Sequence, residues 1–297
     1  MRPTAQWQLR TRALELGRRT LVMGVVNITP DSFSDGFSLV SGECVARAIN
    51  LIAEGADIVD LGAESTRPGS RAGDADAAVS AKEEQARLLP VLEGVMKSRP
   101  DAVVSVDTYK AGTARAALKA GAEIVNDVSG FTWDSAIAEV CAEFHAGVVL
   151  SNSRGRPEEW RAQKQLEPDA LLAMVREGLA VSLAAAQRAG IPPESIVLDP
   201  GYGFGKRFDE NYALLARQAD LLLVGRPLLA GLSRKSFLGH TLAPLFGGKP
   251  APTAARENAS VAAMTAAILN GASIVRVHAV RPAVEAARIA DAILEAQ

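Results

Sequence analysis

Hydrophobic and polar positions recur along the chain in one cassette: GADIVDLG from Gly55, GAEIVNDVSG from Gly121 and GASIVRVH from Gly271. Each follows an Ala- and Leu-rich stretch with helical spacing. Each therefore reads as a helix stopped by a left-handed glycine, a tight turn, and a short apolar strand that ends in polar residues. The starts lie 66 and then 150 residues apart, near two and four multiples of the roughly 35 residues expected of a βα unit. They predict strands two, four and eight of one series. The remaining strands are expected at 21–26, 102–106, 147–150, 195–198 and 227–232. Segment 169–189 carries Leu172, Val175, Leu179, Leu183 and Ala186 on one face and stops at Gly190 and Pro192, the pattern of an amphipathic helix. Segments 44–53, 78–97, 110–119 and 255–269 repeat it. The strands are apolar runs rather than alternations, which implies burial on both faces. The pattern thus predicts the α/β class, with a closed parallel (β/α)8 barrel as first choice and an open doubly wound sheet as second, because closure is not written in the spacing. Residues 1–20, with Leu9, Arg10, Leu14, Leu16 and a turn at Gly17, are expected to form a hairpin that closes the barrel bottom, and 1–297 to make one domain.

Composition narrows the function classes. The chain is 48% hydrophobic and only 5% aromatic, so its core is aliphatic, as buried parallel strands and covering helices require. A net charge of −2, without a run of five like charges, gives no footprint for nucleic acid or an anionic membrane surface. Cys44 and Cys141 lack any metal-type spacing and read as two buried thiols rather than a disulfide framework or zinc site. The N-terminal stretch has no apolar signal region, and no long uncharged apolar run occurs, so a cytoplasmic protein is expected.

Candidate chemistry lies where the strands end. In a barrel of this kind, side chains at strand C-termini converge on one mouth. The first expected strand runs into Asn27, the third into Asp107, the fourth into Asn126 and Asp127, and the sixth into Asp199. The seventh leads to Ser233, Arg234, Lys235 and Ser236, and the eighth carries Arg276 and His278. Any one of these alone could cap a helix or close a turn. Acids, amides and cations on six strands of one cup are more simply ligands for a polar substrate. In DPGYGFGK (199–206) the glycines permit positive φ and close backbone approach, without the Walker A pattern. ESTRPGS (64–70) joins Ser, Thr and Arg in a loop suited to an anion. Arg276 and His278, two apart, share a side, as do Arg234 and Ser236 if the strand continues that far. The mouth is therefore expected to be basic enough for a diphosphate.

Seven blocks in one order then stop being generic: MGVVNITPDSFSDG (23–36), GAESTRPGS (62–70), SVDTYK (105–110), NDVSG (126–130), DPGYGFGK, GLSRKSF (231–237) and VRVH (275–278). Together they resemble the dihydropteroate synthases of the pterin-binding TIM-barrel superfamily. The resemblance implies that p-aminobenzoate is joined to 6-hydroxymethyl-7,8-dihydropterin diphosphate, giving 7,8-dihydropteroate and diphosphate in folate biosynthesis. It implies pterin binding by Asp107, Asn126, Asp199 and Lys235, with Asp199 on a guanidine-like N–C–N edge and Asn126 as both donor and acceptor. Asn27, Arg67, Arg276 and His278 would surround the diphosphate, Asn27 helping to hold Mg²⁺. Thr66, Phe33 and Ser236 would meet p-aminobenzoate. Asp107, Lys235, Arg276 and His278 carry over as the catalytic set for a dissociative, SN1-like departure of diphosphate that needs no side-chain nucleophile. Loops 27–37 and 62–73 are expected to close over the site, and the family implies a homodimer. Two places depart from the pattern. Ser151, Asn152 and Ser153 stand where a Met-His pair is usual, Asn152 being expected to donate a hydrogen bond as neutral His does, and Ala279 stands where Asp is common. A related pterin-binding methyltransferase and a non-catalytic pterin-binding barrel are the alternatives.

Overall fold

The structure, a computed structural model, describes residues 2–28, 37–65, 72 and 78–297, with side chains 37–40 excluded. An antiparallel pair, β1 (Ala5–Gln8) and β2 (Ala13–Leu16), precedes eight parallel strands. These are β3 (Leu21–Asn27), β4 (Ile58–Gly62), β5 (Val104–Asp107), β6 (Ile124–Asp127), β7 (Gly147–Ser151), β8 (Ile196–Asp199), β9 (Leu228–Ala230) and β10 (Ala272–Val277). They close into a barrel in the order β10-β3-β4-β5-β6-β7-β8-β9. Helices α1 (Phe37–Ala53), α2 (Ala81–Ser98), α3 (Ala111–Lys119), α4 (Ile137–Glu143), α5 (Pro168–Arg188), α6 (Phe208–Ala216), α7 (Ser236–Thr241), α8 (Glu257–Leu269) and α9 (Val280–Glu295) follow the barrel strands in turn, α7 and α8 both coming after β9. The first choice of fold, a closed (β/α)8 barrel, is therefore the observed one, and the open sheet is excluded. Gly55, Gly121 and Gly271 sit at φ +106°, +111° and +96°, the left-handed turns that the cassette requires at its helix ends.

Strand periodicity of two divides the core. Outward residues such as Val22, Val59, Val104, Val125, Val148, Ile196, Leu228 and Val275 pack beneath the helices. Inward residues Met23, Ile58, Val103, Ile124, Val149, Val197, Leu229 and Ile274 form a second cluster with Trp7, Leu9 and Leu16 of the β1–β2 hairpin. Trp7 is 1% exposed, and its indole N–H donates to the Ser195 carbonyl at 2.9 Å. The hairpin thus lies against an apolar layer at the N-terminal end of the barrel. Two residues further along, the same inward phase turns polar at six places, Asp60, Ser105, Asn126, Ser151, Asp199 and Arg276, with Val25 on β3 and Gly231 just past β9 completing the ring. The site begins one layer above the plug.

Some boundaries differ from expectation for local reasons. Segment 227–232 is strand only over Leu228–Ala230, since Pro227 has no N–H for the ladder and the chain leaves the sheet toward Arg234, which adopts φ +59°. Arg234 and Ser236 accordingly do not share a strand face, and Ser236 instead opens α7. Segment 78–97 becomes helical at Ala81, because the Ser80 hydroxyl accepts the Glu83 N–H at 3.2 Å as an N-cap. Segment 255–269 begins as a tighter turn, Thr253–Arg256, before α8. Cys44 and Cys141 are both buried thiols. Among the described residues no helix is long and apolar enough to cross a membrane.

Candidate active site at the mouth of the barrel

The floor of the cup is organised by Arg276. Its Nε donates to Asp60 Oδ2 at 2.6 Å and one terminal nitrogen donates to Asp107 Oδ2 at 2.6 Å. Asn126 Nδ2 adds a third contact, to the same Asp60 oxygen, at 3.1 Å. Arg276 is thus held between two carboxylates, two residues before His278 in the chain. Burial works against its charge, but Asp60 and Asp107 more than compensate, so its pKa is raised. Burial raises Asp107 to about 7; Arg276 opposes the rise and the Asp60 charge adds to it. Asp60 itself is fully buried. Its Oδ1 and the Ser105 hydroxyl have no hydrogen-bond partner among the described residues, which is rare for buried polar atoms and marks a position built for polar contact. Sequence reasoning missed Asp60. The signal was the inward phase, because Asp60 lies two residues beyond Ile58 just as Asn126 lies two beyond Ile124.

Asp199 faces this group from β8. Its Oδ1 accepts the Gly201 N–H at 2.7 Å, and Ser151 Oγ lies 3.4 Å from Oδ2. Burial raises its pKa against the pull of that N–H and of Lys235, Lys206 and Arg276. A Cβ built on Gly231 would stand 3.8 Å from Asp199 Oδ2 and 4.0 Å from Arg276 Cβ, so a larger residue there would intrude between acid and base. Lys235 Nζ sits 3.7 Å over the Phe204 ring, a cation–π contact. Burial lowers its pKa to about 8, partly countered by Asp199. Asp127, the other polar end of β6, does a different job: it accepts the N–H groups of Ser129 and Phe131 at 2.7 and 2.8 Å and shapes the following loop. Asn152, expected as a donor, instead receives Lys206 Nζ on its side-chain oxygen at 2.9 Å.

Asn27 and His278 form the rim. Asn27 pairs in register with Gly62, Gly62 with Asp107, and Asp107 with Asn126, so four strand ends stand at one level. His278 Nδ1 lies 3.0 Å from Ser233 Oγ, and its carbonyl accepts from Arg47 at 2.7 Å. Asn27, His278, Arg47 and Arg234 share a hollow of about 300 Å³, although Arg234 is also paired with Glu257 at 3.1 Å. Ser236 is half-buried beside Lys235. Phe33, Thr66 and Arg67 lie outside the described residues, as do most of the two loops expected to close. Glu64, at the base of the second loop, is held by Lys110, which also reaches Glu84 at 3.2 Å.

Among the described residues no three His, Cys, Asp or Glu side chains gather to hold a metal. The hard amide oxygen of Asn27, exposed on the rim, nevertheless fits a Mg²⁺ that keeps several waters and takes other ligands from a diphosphate. The donor set is too sparse for a dedicated protein cage.

Comparison with known proteins agrees with this arrangement. The family described as pterin binding enzyme matches residues 23–278. The dihydropteroate synthase of Synechocystis is 39% identical over 278 residues, which covers 93% of this chain and 91% of that protein. The mitochondrial folate synthesis bifunctional protein of Pisum sativum is 40% identical over 95% of this chain, but the chain spans only 55% of its length. The solved structure of Xanthomonas albilineans dihydropteroate synthase with 4-aminobenzoic acid superimposes with a TM-score of 0.85 at 36% identity, covering 98% of this chain and 99% of that one.

Proposed function

The chain belongs to the pterin binding enzymes, and within them to the dihydropteroate synthases; on that premise we propose that it condenses 6-hydroxymethyl-7,8-dihydropterin diphosphate with p-aminobenzoate to give 7,8-dihydropteroate and diphosphate. The observation that carries the reading is the polar layer itself: Asp60, Asp107, Asn126, Asp199 and Arg276 meet directly above a sealed apolar floor. A flat ring rich in N–H donors suits such a layer. Asp199, aimed by the Gly201 N–H, accepts from the N–C–N edge of the pterin. Asn126 spends one donor on Asp60 and keeps its carbonyl and its second N–H for the ring. Lys235 stands beside the ring, and Asp107 with Arg276 fixes its far edge.

The diphosphate then projects to the rim, toward Asn27, His278 and the loop that carries Arg67. Mg²⁺, when bound there with Asn27, supplies charge neutralisation to the leaving group. The carbon–oxygen bond at the pterin methylene breaks first, and its electron pair leaves with diphosphate. The resulting cation is delocalised into the ring and stabilised by the nearby carboxylates. The arylamine of p-aminobenzoate, received by Ser236, Thr66 and Phe33, attacks the methylene and loses a proton. No side-chain nucleophile takes part. Homodimeric assembly and a cytoplasmic location belong to the same proposal; sedimentation checks the first. The activity is tested by mixing purified protein with both substrates and Mg²⁺. Release of diphosphate dependent on p-aminobenzoate is expected; pterin binding without release would favour a non-catalytic barrel, and methyl transfer from methyltetrahydrofolate the related methyltransferases.

A further inference from the structure

Lys206 is a buried ammonium that the chemistry above does not use. Its Nζ donates to the Asn152 carbonyl, the Asn152 side-chain oxygen and the Gly201 carbonyl, each at 2.9 Å. An ammonium has three donors, so the set is complete, and every acceptor is neutral. Two of the three belong to residue 152 and the third to Gly201, the residue whose N–H aims Asp199. The Asn152 N–H in turn donates to the Asp199 carbonyl at 3.0 Å. The ammonium therefore ties the end of β7 to the turn that follows β8. Close packing preserves the arrangement. A Cβ on Gly201, at φ +71°, would lie 1.9 Å from the Asn152 carbonyl, and one on Gly178 of α5 would lie 2.0 Å from Asn152 Nδ2. Both sites require glycine for this amide to seat.

We propose that Asn152 and Lys206 form a staple that positions Asp199 for the dihydropterin, replacing in this chain whatever support a His at 152 gives elsewhere. Both are positioning residues, and the inference rests on the reading of Asp199 as a pterin ligand. The charged groups facing Lys206 are Asp199 from β8, Lys235 beyond β9, Glu210 from α6 and Arg154 beyond β7. Burial lowers Lys206 to about 7; Asp199 and Glu210 pull it up, Lys235 and Arg154 down. A neutral amine has one donor fewer, so the staple loosens as the proton leaves.

The test is calorimetry of 6-hydroxymethyl-7,8-dihydropterin diphosphate binding from about pH 5.5 to about pH 9, on the native protein, Asn152→Leu, Asn152→Asp and Lys206→Met. Native affinity, taken as a ratio to that of Lys206→Met so that the ionisation of Asp107 cancels, is expected to fall as pH rises through about 7. Asn152→Leu and Lys206→Met should bind about tenfold more weakly, the effect of one lost charged hydrogen bond. Their KM for p-aminobenzoate at saturating dihydropterin should stay unchanged. Asn152→Asp gives the ammonium a carboxylate and should carry the fall upward by about one pH unit or more, while Lys206→Met should show no such fall. Asn152→Asp, isosteric with the native residue, keeps the test decisive should Lys206→Met fail to fold. Native affinity with a native pH profile in Lys206→Met, or an unmoved profile in Asn152→Asp, overturns the staple. A native protein that does not bind the dihydropterin overturns instead the functional reading beneath it.

Discussion

Replacing Asp60 by asparagine removes one charge from the floor of the cup and almost none of its volume. Asp60 Oδ2 holds both Arg276 Nε and Asn126 Nδ2, and its charge helps to raise Asp107 to about 7. Two carboxylates bridged by one guanidinium stand roughly 5 Å apart, which at an effective dielectric of about 20 is a repulsion of about 3 kcal/mol. That sets a ceiling of about two pH units. Arg276 lies between the acids and absorbs part of it, so the Asp107 pKa should drop by on the order of one unit in Asp60→Asn. Because the proposed pterin ligand is the ionised form of Asp107, kcat/KM for the dihydropterin has an acid limb near pH 7, and in the variant this limb moves to lower pH. The loss of one charged bond to Arg276, about 1.5 to 3 kcal/mol, should also lower the plateau by roughly ten- to hundredfold. The assay is the pH dependence of kcat/KM for dihydropterin diphosphate at saturating p-aminobenzoate. An acid limb that stays in place would refute the electrostatic coupling, and an unchanged plateau would show that Asp60 orients nothing.

Other outcomes are expected from the same geometry. Asp199→Asn should weaken dihydropterin binding by about 1.5 to 3 kcal/mol, and unchanged calorimetric affinity would reject its role. Asp107 binds its proton more tightly folded than unfolded, so its contribution to stability is full below about pH 4 and is lost as pH rises through about 7. Asp107→Asn should therefore melt a few degrees above the native, ligand-free protein near pH 8 and level with it near pH 4, while losing turnover; thermal scans at both pH values decide it. Lys110→Met leaves Glu64 and the buried Glu84 without their cation and should cost about 3 to 5 kcal/mol in urea unfolding. Trp7→Ala opens the sealed bottom and should cost about 3 to 5 kcal/mol by the same measurement, with the dihydropterin KM of the surviving folded fraction unchanged.

The barrel was legible because its signals are local. A left-handed glycine after a helix and an apolar run ending in a polar residue each lie within ten positions, and Gly55, Gly121 and Gly271 carry the geometry that their spacing announced. Asp107, Asn126 and Asp199 were legible for the same reason, being the last polar residue or residues of a strand. Asp60 was not, because it sits inside the run IVDLG rather than at its end, and only the inward phase of the neighbouring strands distinguishes it. The destination of Arg276 was hidden for another reason. Sequence shows that a cation shares a face with His278, but Asp60 and Asp107, 216 and 169 residues away, capture it only once the barrel closes. Lys206 looked like the last residue of a glycine loop; its partner Asn152 stands 54 positions earlier and drew notice only as a departure from a pattern.

The charges also narrow what the cup can accept. Burial pushes Asp107 up and Lys235 down, so each is held least comfortably in its charged form, and three carboxylates, Asp60, Asp107 and Asp199, are already matched by Arg276, Lys235 and Lys206. An added anion at this level would unbalance these buried charges, and a bare cation would compete with Arg276 for oxygens already bonded at 2.6 Å. A neutral heterocycle avoids both: its N–H groups replace lost water at the carboxylates without adding charge. On the proposed reading its negative leaving group turns outward to the exposed rim, where Asn27, in register with the ends of β4 and β5, stands with His278. Under the proposed function the strands thus part ring from diphosphate, with the apolar plug beneath, Asp60, Asp199 and Arg276 above it, and Asn27 and His278 at the lip.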